Sequence, residues 1–205
     1  MAETSSPERD YLPGMGKHYL LPFYDLVHQV SALARVHAEM VELARPQPGQ
    51  RVLDVGCGTG NLLRATAKRH RDVELSGVDP DLKMLARAER KLRRRARLDR
   101  GYAQELGFPG ATFDVVFSSL MLHHLDTTSK DEMLAEVRRV LKPGGVLVLA
   151  DIVHHHRGPM KEHLHDNVGD SVRKRIEAAG FTVEPTRVRR LRMFGTTGVE
   201  VARVH

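Results

Sequence analysis

The sequence predicts an α/β fold, in which parallel strands alternate with helices that cover both faces of one sheet. Short β-branched apolar runs alternate with segments of helical periodicity. The strand predicted at 51–55 leads straight into a glycine loop and the first turn of a helix. We predict strands near 51–55, 73–79, 98–102, 112–118, 145–151, 181–191 and 197–204, with Pro143-Gly144-Gly145 breaking the chain before the fifth. We predict helices near 21–44, 60–70, 81–97, 129–141 and 166–179.

Length and composition favour one globular enzyme-sized domain. The 205 residues suffice for a single α/β core, and no apolar run is long enough to span a bilayer. The opening MAETSSPERD lacks the order of a signal peptide, and the single cysteine, Cys57, excludes an internal disulfide. We therefore expect a cytoplasmic protein with an N-terminal helical segment (1–45) and a main domain (46–205).

The glycine loop that follows the first strand indicates a nucleotide-like ligand. Gly56, Gly58 and Gly60 occupy alternate positions, so the backbone can turn sharply and approach a ligand closely. A dinucleotide fingerprint would need a third glycine where Asn61 stands, and the Gly-Lys-Ser/Thr ending of a P-loop is missing. Asp54, at the end of the strand, would repel a pyrophosphate and suits a cationic, hydroxyl-bearing ligand.

An acidic residue ends the second strand. The apolar run Val73–Val78 is followed by Asp79-Pro80-Asp81, about 20 residues beyond the loop. A carboxylate at that point can accept both hydroxyls of a ribose. Since Asp81 or Pro80 is better placed to start the next helix, we assign Asp79 to the ribose.

Four segments in register carry a family resemblance. They are VLDVGCGTGNLL, VELSGVDPDLKMLARAERK, YAQELGFPGATFDVVFSSLMLHHL and VRRVLKPGGVLVLAD, and together they cover about half of the chain. In these segments the sequence resembles the class I S-adenosylmethionine (SAM) dependent methyltransferases, in particular the group of small-molecule enzymes that includes the ubiquinone/menaquinone C-methyltransferases. The resemblance implies a Rossmann-like, doubly wound sheet of seven strands, mostly parallel, with an antiparallel last strand.

The resemblance also implies roles for individual residues. The methionine part of SAM would lie on the loop, with Asp54 near its amino group and Asp79 on its ribose. Adenine would lie along Ala103 and Gln104, and Ser118 would border the methyl-donor end. Tyr102 stands where the family often has an acidic residue that contacts adenine. The full set of expected cofactor residues is Asp54, Gly56, Cys57, Gly58, Gly60, Asn61, Asp79, Pro80, Ala103, Gln104 and Ser118.

The expected chemistry is in-line displacement of the activated methyl group by a small, apolar or aromatic acceptor, which leaves S-adenosylhomocysteine (SAH). A general base is needed only where the acceptor loses a proton, and His123 and His124 are candidates, since histidine titrates near neutral pH. Packing or capping is the alternative role for this pair. Tyr19, Tyr24 and His28 are candidates for acceptor binding, because the N-terminal segment can cover the pocket; simple packing of its aromatic residues stays open.

Two further features suggest other functions. Lys83–Arg100 holds nine lysines and arginines against two acidic residues. A solvated helix face formed by Lys83, Arg87, Arg90, Lys91 and Arg94 explains this charge, but a nucleic-acid methyltransferase is a second candidate function. A non-catalytic SAM-binding protein is a third.

Five histidines gather between the fifth strand and the last helix. They are His154, His155, His156, His163 and His165. No cysteine stands nearby, so we expect polar loop residues and no metal site.

Overall fold

The computed structural model describes residues 33–154, 170–191 and 195–205 of the chain. The elements in these ranges are α1 (Leu33–Ala44), β1 (Arg51–Val55), α2 (Asn61–Arg69), β2 (Glu74–Asp79), α3 (Leu82–Leu92), β3 (Arg97–Arg100), β4 (Phe113–Ser119), α4 (Thr127–Val140), β5 (Leu141–His154), α5 (Ser171–Ala178), β6 (Thr182–Val183), β7 (Arg187–Leu191) and β8 (Gly195–Arg203). A single 3-10 turn, Leu122–His124, follows β4. None of these helices is both long and apolar enough to span a membrane.

The strands form one sheet in the order β3-β2-β1-β4-β5-β8-β6, and β7 also pairs with β8. The first five strands are mutually parallel, whereas β8 is antiparallel to β5. This confirms the predicted mostly parallel sheet with an antiparallel last strand. The described part has eight strands instead of seven because the segment predicted at 181–191 is interrupted between Val183 and Arg187.

Each face of the sheet carries its own apolar core. The helices α1, α2 and α3 cover one face, where Met40, Leu63 and Phe117 are buried. The helices α4 and α5 cover the other, where Leu134, Val116 and Ile176 are buried. Helices on both faces explain why the central strands are continuous apolar runs.

The helix after β2 is shorter than predicted. The pattern suggested 81–97, but α3 ends at Leu92 because Arg93 and Arg94 adopt φ of 48° and 62°, in the left-handed region. The chain then enters β3, where Arg97–Arg100 pairs with β2. The apolar spacing that continues to Ala96 therefore reflects packing on the core outside the helix.

The Pro143-Gly144-Gly145 break lies within β5 as an irregularity. Phe113 pairs with Leu141 and Val115 with Val146, so additional residues of β5 stand opposite one residue of β4. Gly144 has a φ of 76°, which a side chain rarely adopts. The strand thus extends on both sides of the predicted 145–151.

Gly77, in the middle of β2, is required by close packing. A Cβ there would lie 2.9 Å from each of Cys57 Sγ, Leu63 Cδ1 and Leu98 Cδ2. We expect Gly77→Ala to lower the free energy of unfolding by about 1–3 kcal/mol, since three core side chains must shift. Urea denaturation measures the change.

Gly107→Ala is the matched control. A Cβ at Gly107 meets nothing within 4 Å, and the backbone there is not left-handed. We expect a change within about 0.5 kcal/mol. Equal effects of the two substitutions would contradict the role of packing at Gly77.

Candidate functional site

The loop between β1 and α2 folds back onto the neighbouring strand. The N–H groups of Gly56 and Cys57 donate to the carbonyl of Val78 at 2.8 and 3.0 Å. Gly56, Gly58 and Gly60 all have positive φ, at 73°, 52° and 74°. The alternate glycines therefore shape the loop, as the sequence predicted.

Gly58 lies at the tip of this loop and leaves room beside it. A Cβ at Gly58 would meet no atom within 4 Å. Its N–H donates to Asp79 Oδ2 at 2.8 Å. The loop tip is thus fixed by Asp79, while the space next to its Cα stays available to a ligand.

Asp79 joins the ends of β1 and β2. Besides the bond from Gly58, its Oδ1 accepts from the N–H of Asp81 at 2.9 Å. Burial raises the pKa of this carboxyl, and the two N–H bonds counter that rise in part. A carboxylate offers about four acceptor positions. Asp79 can therefore still accept hydroxyl donors.

The start of α3 is capped by a different aspartate, as predicted. Asp81 Oδ1 accepts from the N–H groups of Lys83 and Met84, at 2.7 and 3.3 Å. This Ncap arrangement satisfies the first turn of α3. Asp79 is therefore not needed as a cap.

Asp54 is a buried carboxylate at the end of β1. It is 2% exposed, and none of the described residues bonds to its Oδ1. Burial, together with the nearby charge of Asp79, raises the pKa of Asp54 well above its usual range. An ammonium or hydroxyl donor would offset the cost of this unpaired oxygen.

A small pocket, partly open to solvent, lies against Asp54. Its lining comes from α1, the glycine loop, the start of α2 and the end of β4. The lining residues are Leu33, His37, Asp54, Gly56, Cys57, Gly58, Thr59, Asn61, Leu62, Ser119 and Leu120. Five of the residues expected at a cofactor are thus brought together: Asp54, Gly56, Cys57, Gly58 and Asn61.

A lysine of α3 ties the loop to that helix. Lys91 Nζ donates to Thr59 Oγ1 at 3.0 Å and to Asn61 Oδ1 at 2.6 Å. The prediction that Lys91 belongs to the solvated helix face was therefore wrong. Its stem is long enough for the ammonium group to return to the loop.

Cys57 is a structural residue of this loop. Its thiol is buried, and burial raises its pKa well above the usual value. A neutral thiol is a poor nucleophile. This agrees with the interpretation of Cys57 as a small loop residue.

Other residues expected at the cofactor lie outside the pocket lining. Gly60 packs against Ala88 and Leu92 of α3. Pro80 follows β2, and Ala103 and Gln104 follow β3, where the N–H of Gly101 donates to the carbonyl of Asp79 at 3.4 Å. Ala103 belongs to the core, whereas Gln104 is half-buried. These residues therefore lie at the same edge of the sheet, beyond Asp79.

Ser119, rather than Ser118, lines the pocket. Ser118 is buried, and its hydroxyl has no partner in the described ranges. Since side chains alternate along a strand, Ser119 shares the pocket face with Phe117. Leu120 follows with a φ of 53°, which is uncommon for a residue other than glycine, and the chain changes direction there, beside the pocket.

The two histidines after β4 differ in their surroundings. His123 Nδ1 lies 2.6 Å from Asp151 Oδ1, and the backbone N–H of His123 donates to Oδ2 of the same carboxylate at 3.1 Å. His123 is 5% and Asp151 is 1% exposed. The ring of the half-buried His124 lies 4.2 Å from that of His123. Asp151 thus fixes the orientation of His123.

Several predicted site residues, and one predicted side chain, lie outside the part of the chain that the structure describes. They are Tyr19, Tyr24, His28, His155, His156, His163 and His165, together with the side chain of His154. Within the described ranges, no three His, Cys, Asp or Glu side chains gather as a metal site would require.

Sequence reasoning missed two residues that lie at the site. His37 stands in the buried stripe of α1, with Leu33, Val36 and Met40. A histidine in an apolar stripe was the signal available. Asp151 ends the run VLVLAD, and its pairing with His123, 28 residues earlier in the chain, had no local signal.

Comparisons with known proteins agree with this geometry. A family model described as "Methyltransferase domain" matches residues 52–145. A ubiquinone/menaquinone biosynthesis C-methyltransferase, UbiE, of Paraburkholderia phymatum is 31% identical over 180 residues, which are 82% of this chain and 66% of that protein. The chain spans about half the length of other curated relatives that it matches.

Two solved structures show the same fold. The crystal structure of the [4+2]-cyclase SpnF has a TM-score of 0.74 at 19% identity and covers 84% of this chain and 81% of that one. Phosphoethanolamine N-methyltransferase 2 of Haemonchus contortus, in complex with SAM, has a TM-score of 0.69 at 18% identity. The match covers 83% of this chain and 52% of that one. Together, the matched domain, the relatives and the glycine loop identify this chain as a member of the class I SAM-dependent methyltransferase family.

Proposed function

We propose that this protein transfers a methyl group from SAM to a small apolar or aromatic acceptor. The observation that carries the proposal is the buried carboxyl group of Asp54, whose Oδ1 has no partner among the described residues, beside the open tip of the glycine loop. Such a carboxylate suits an ammonium group. The relatives named as quinone C-methyltransferases support an aromatic ring as the acceptor.

The residues present fit the cofactor. Asp54 would hold its ammonium group, and Asp79 would accept the two ribose hydroxyls with the acceptor positions that Gly58 and Asp81 leave open. Ala103 and Gln104 would lie along adenine. When bound, SAM supplies a methyl group already activated by the sulfonium charge. Orientation of the acceptor for in-line attack can contribute about 7–11 kcal/mol.

His123 is the proposed proton acceptor for an acceptor molecule that carries a hydroxyl or acidic carbon. Donation of Nδ1–H to Asp151 leaves Nε2 as the basic nitrogen, which is the tautomer a general base needs. Asp151 would also stabilise the imidazolium that forms. An acceptor without a proton to lose would not require this pair.

Asp79 tests the cofactor site. We expect Asp79→Ala to weaken SAH binding by about 1.5–3 kcal/mol, because charge-assisted hydrogen bonds to the ribose are lost. Calorimetric titration measures the effect. Asp81→Asn is the control, since it removes a neighbouring charge but retains an Ncap residue; binding within twofold of the wild type is expected. Failure of the wild type to bind SAM or SAH would refute the proposed cofactor.

We predict that the carboxyl group of Asp54 lowers the stability of the fold and contributes to binding of SAH. Its folded pKa is raised above the unfolded value, so the neutral form stabilises the fold and this stability is lost as the pH rises through the folded pKa. We expect Asp54→Asn to raise the free energy of unfolding at pH 8 by about 1–3 kcal/mol. The gain should shrink toward pH 4, and SAH binding should weaken. Urea unfolding at several pH values checks the sign; a less stable variant at pH 8 would contradict it.

His123 and Asp151 test the chemistry. With 1,4-naphthoquinol or catechol as acceptor and tritiated SAM as donor, we expect His123→Gln and Asp151→Asn to lower kcat by about 10²–10⁴. SAH affinity should stay within twofold, because the proposed function assigns neither side chain to the cofactor. His124→Gln is the control. Unchanged kcat in His123→Gln would assign His123 a packing role.

A second candidate function rests on the exposed cations along α3 and β3. The exposed members are Lys83, Arg90, Arg93, Arg94, Arg97 and Arg100. Such a surface attracts polyanions, and nucleic acid is the alternative substrate. Titration with RNA between about 50 and 200 mM salt tests this second function. If RNA binds to these cations, its affinity should fall steeply as the salt concentration rises. Tight SAM binding without turnover on either class would favour a non-catalytic protein.

A further inference from the structure

His37 brings a polar ring into the pocket from outside the matched domain. It lies on α1, ahead of residues 52–145, and is 6% exposed. Its Nε2 lies 3.0 Å from Ser119 Oγ, and both residues line the pocket. A buried imidazole paired to a hydroxyl at a pocket wall supplies hydrogen-bond donors there.

The pocket carries acceptors and donors on different elements. Oδ1 of Asp54, at the end of β1, accepts no hydrogen bond from the described residues. His37 on α1 and Ser119 on β4 provide N–H and O–H groups. The start of α2 adds to them, because its N-cap residue, Gly60, has no side chain that could cap the helix. A ligand with one ammonium and one carboxylate group would satisfy these walls together.

The His37–Ser119 pair can orient one donor outward. When Nε2 carries the proton, it donates to Ser119 Oγ, and the hydroxyl hydrogen remains available to an anionic oxygen. Protonation of the ring adds a positive charge on the same wall. In either state the pair favours a carboxylate over a neutral group.

We propose that His37 and Ser119 recognise the carboxylate of the α-amino acid end of the ligand, while Asp54, in the same pocket lining, receives its ammonium group. The inference rests on the proposed function, because it takes SAM and SAH as the ligands. It assigns part of cofactor recognition to α1, a helix that the family model does not include.

Two ligands separate this role from binding in general. SAH and 5′-methylthioadenosine share the adenosine and the thioether sulfur, but only SAH carries the α-amino carboxylate. We expect His37→Leu and Ser119→Ala to weaken SAH binding about 10- to 100-fold and to leave 5′-methylthioadenosine within twofold. Calorimetric titration of the full chain measures both.

Matched variants complete the test. Ser76→Ala removes a half-buried hydroxyl of β2 that lies outside the pocket lining, and it should change neither affinity. Asp79→Ala should weaken both ligands, because both contain the ribose. Leucine is apolar, so it is compatible with the buried stripe of α1. If His37→Leu does not fold, Ser119→Ala alone tests whether this pair recognises the carboxylate.

The outcomes are distinct. If Ser119→Ala weakens both ligands equally, or neither of them, recognition of the carboxylate by this pair is wrong while the proposed function stands. If the wild type binds neither SAM, SAH nor 5′-methylthioadenosine, the proposed function fails and this inference fails with it.

Discussion

The site depends on the carboxylate of Asp79, which accepts one backbone N–H from the glycine loop and another from the turn before α3. These two bonds hold the ends of β1 and β2 in one arrangement. The loop then lies close enough to β2 that Gly77 has no room for a side chain. Lys91 fixes the far side of the loop through Thr59 and Asn61. The loop is therefore preorganised from both sides, which lowers the cost of ordering it around a ligand.

This arrangement buries the carboxyl groups of Asp54 and Asp79, and their burial lowers the stability of the fold. Burial raises the pKa of both Asp54 and Asp79, and the nearby charge of Asp79 raises the pKa of Asp54 further. Asp79 recovers part of the cost through its N–H bonds, whereas Asp54 Oδ1 has no partner in the described structure. Local rules of stability are often broken where function requires it. A buried carboxyl oxygen with no partner among the described residues, at the end of a central strand, is such a case.

The sequence predicted the central sheet, the glycine loop, Asp54 and Asp79, because these features depend on local patterns: strand alternation, glycine spacing and a strand-ending acid. It did not predict the end of α3, since apolar spacing continues to Ala96 although Arg93 turns the backbone out of the helix. It pointed to Ser118, whereas Ser119 lines the pocket, because in a strand a shift of one residue reverses the face. His37 and Asp151 were missed because their partners, Ser119 and His123, are distant in the chain.

The residues that the family match includes and those it omits differ in what they do. Asp54, the glycine loop and Asp79 all lie within residues 52–145, and in the proposed function they would hold the parts of SAM that any enzyme of this kind must bind. His37 and Asp151 lie on either side of that range. Each acts through a partner at or just beyond the carboxyl end of β4, where Ser119 lines the pocket and His123 follows. Ligands of open α/β sheets bind at these strand ends. The chain on either side of the matched range therefore contributes to this edge of the sheet, through α1 before it and the end of β5 after it.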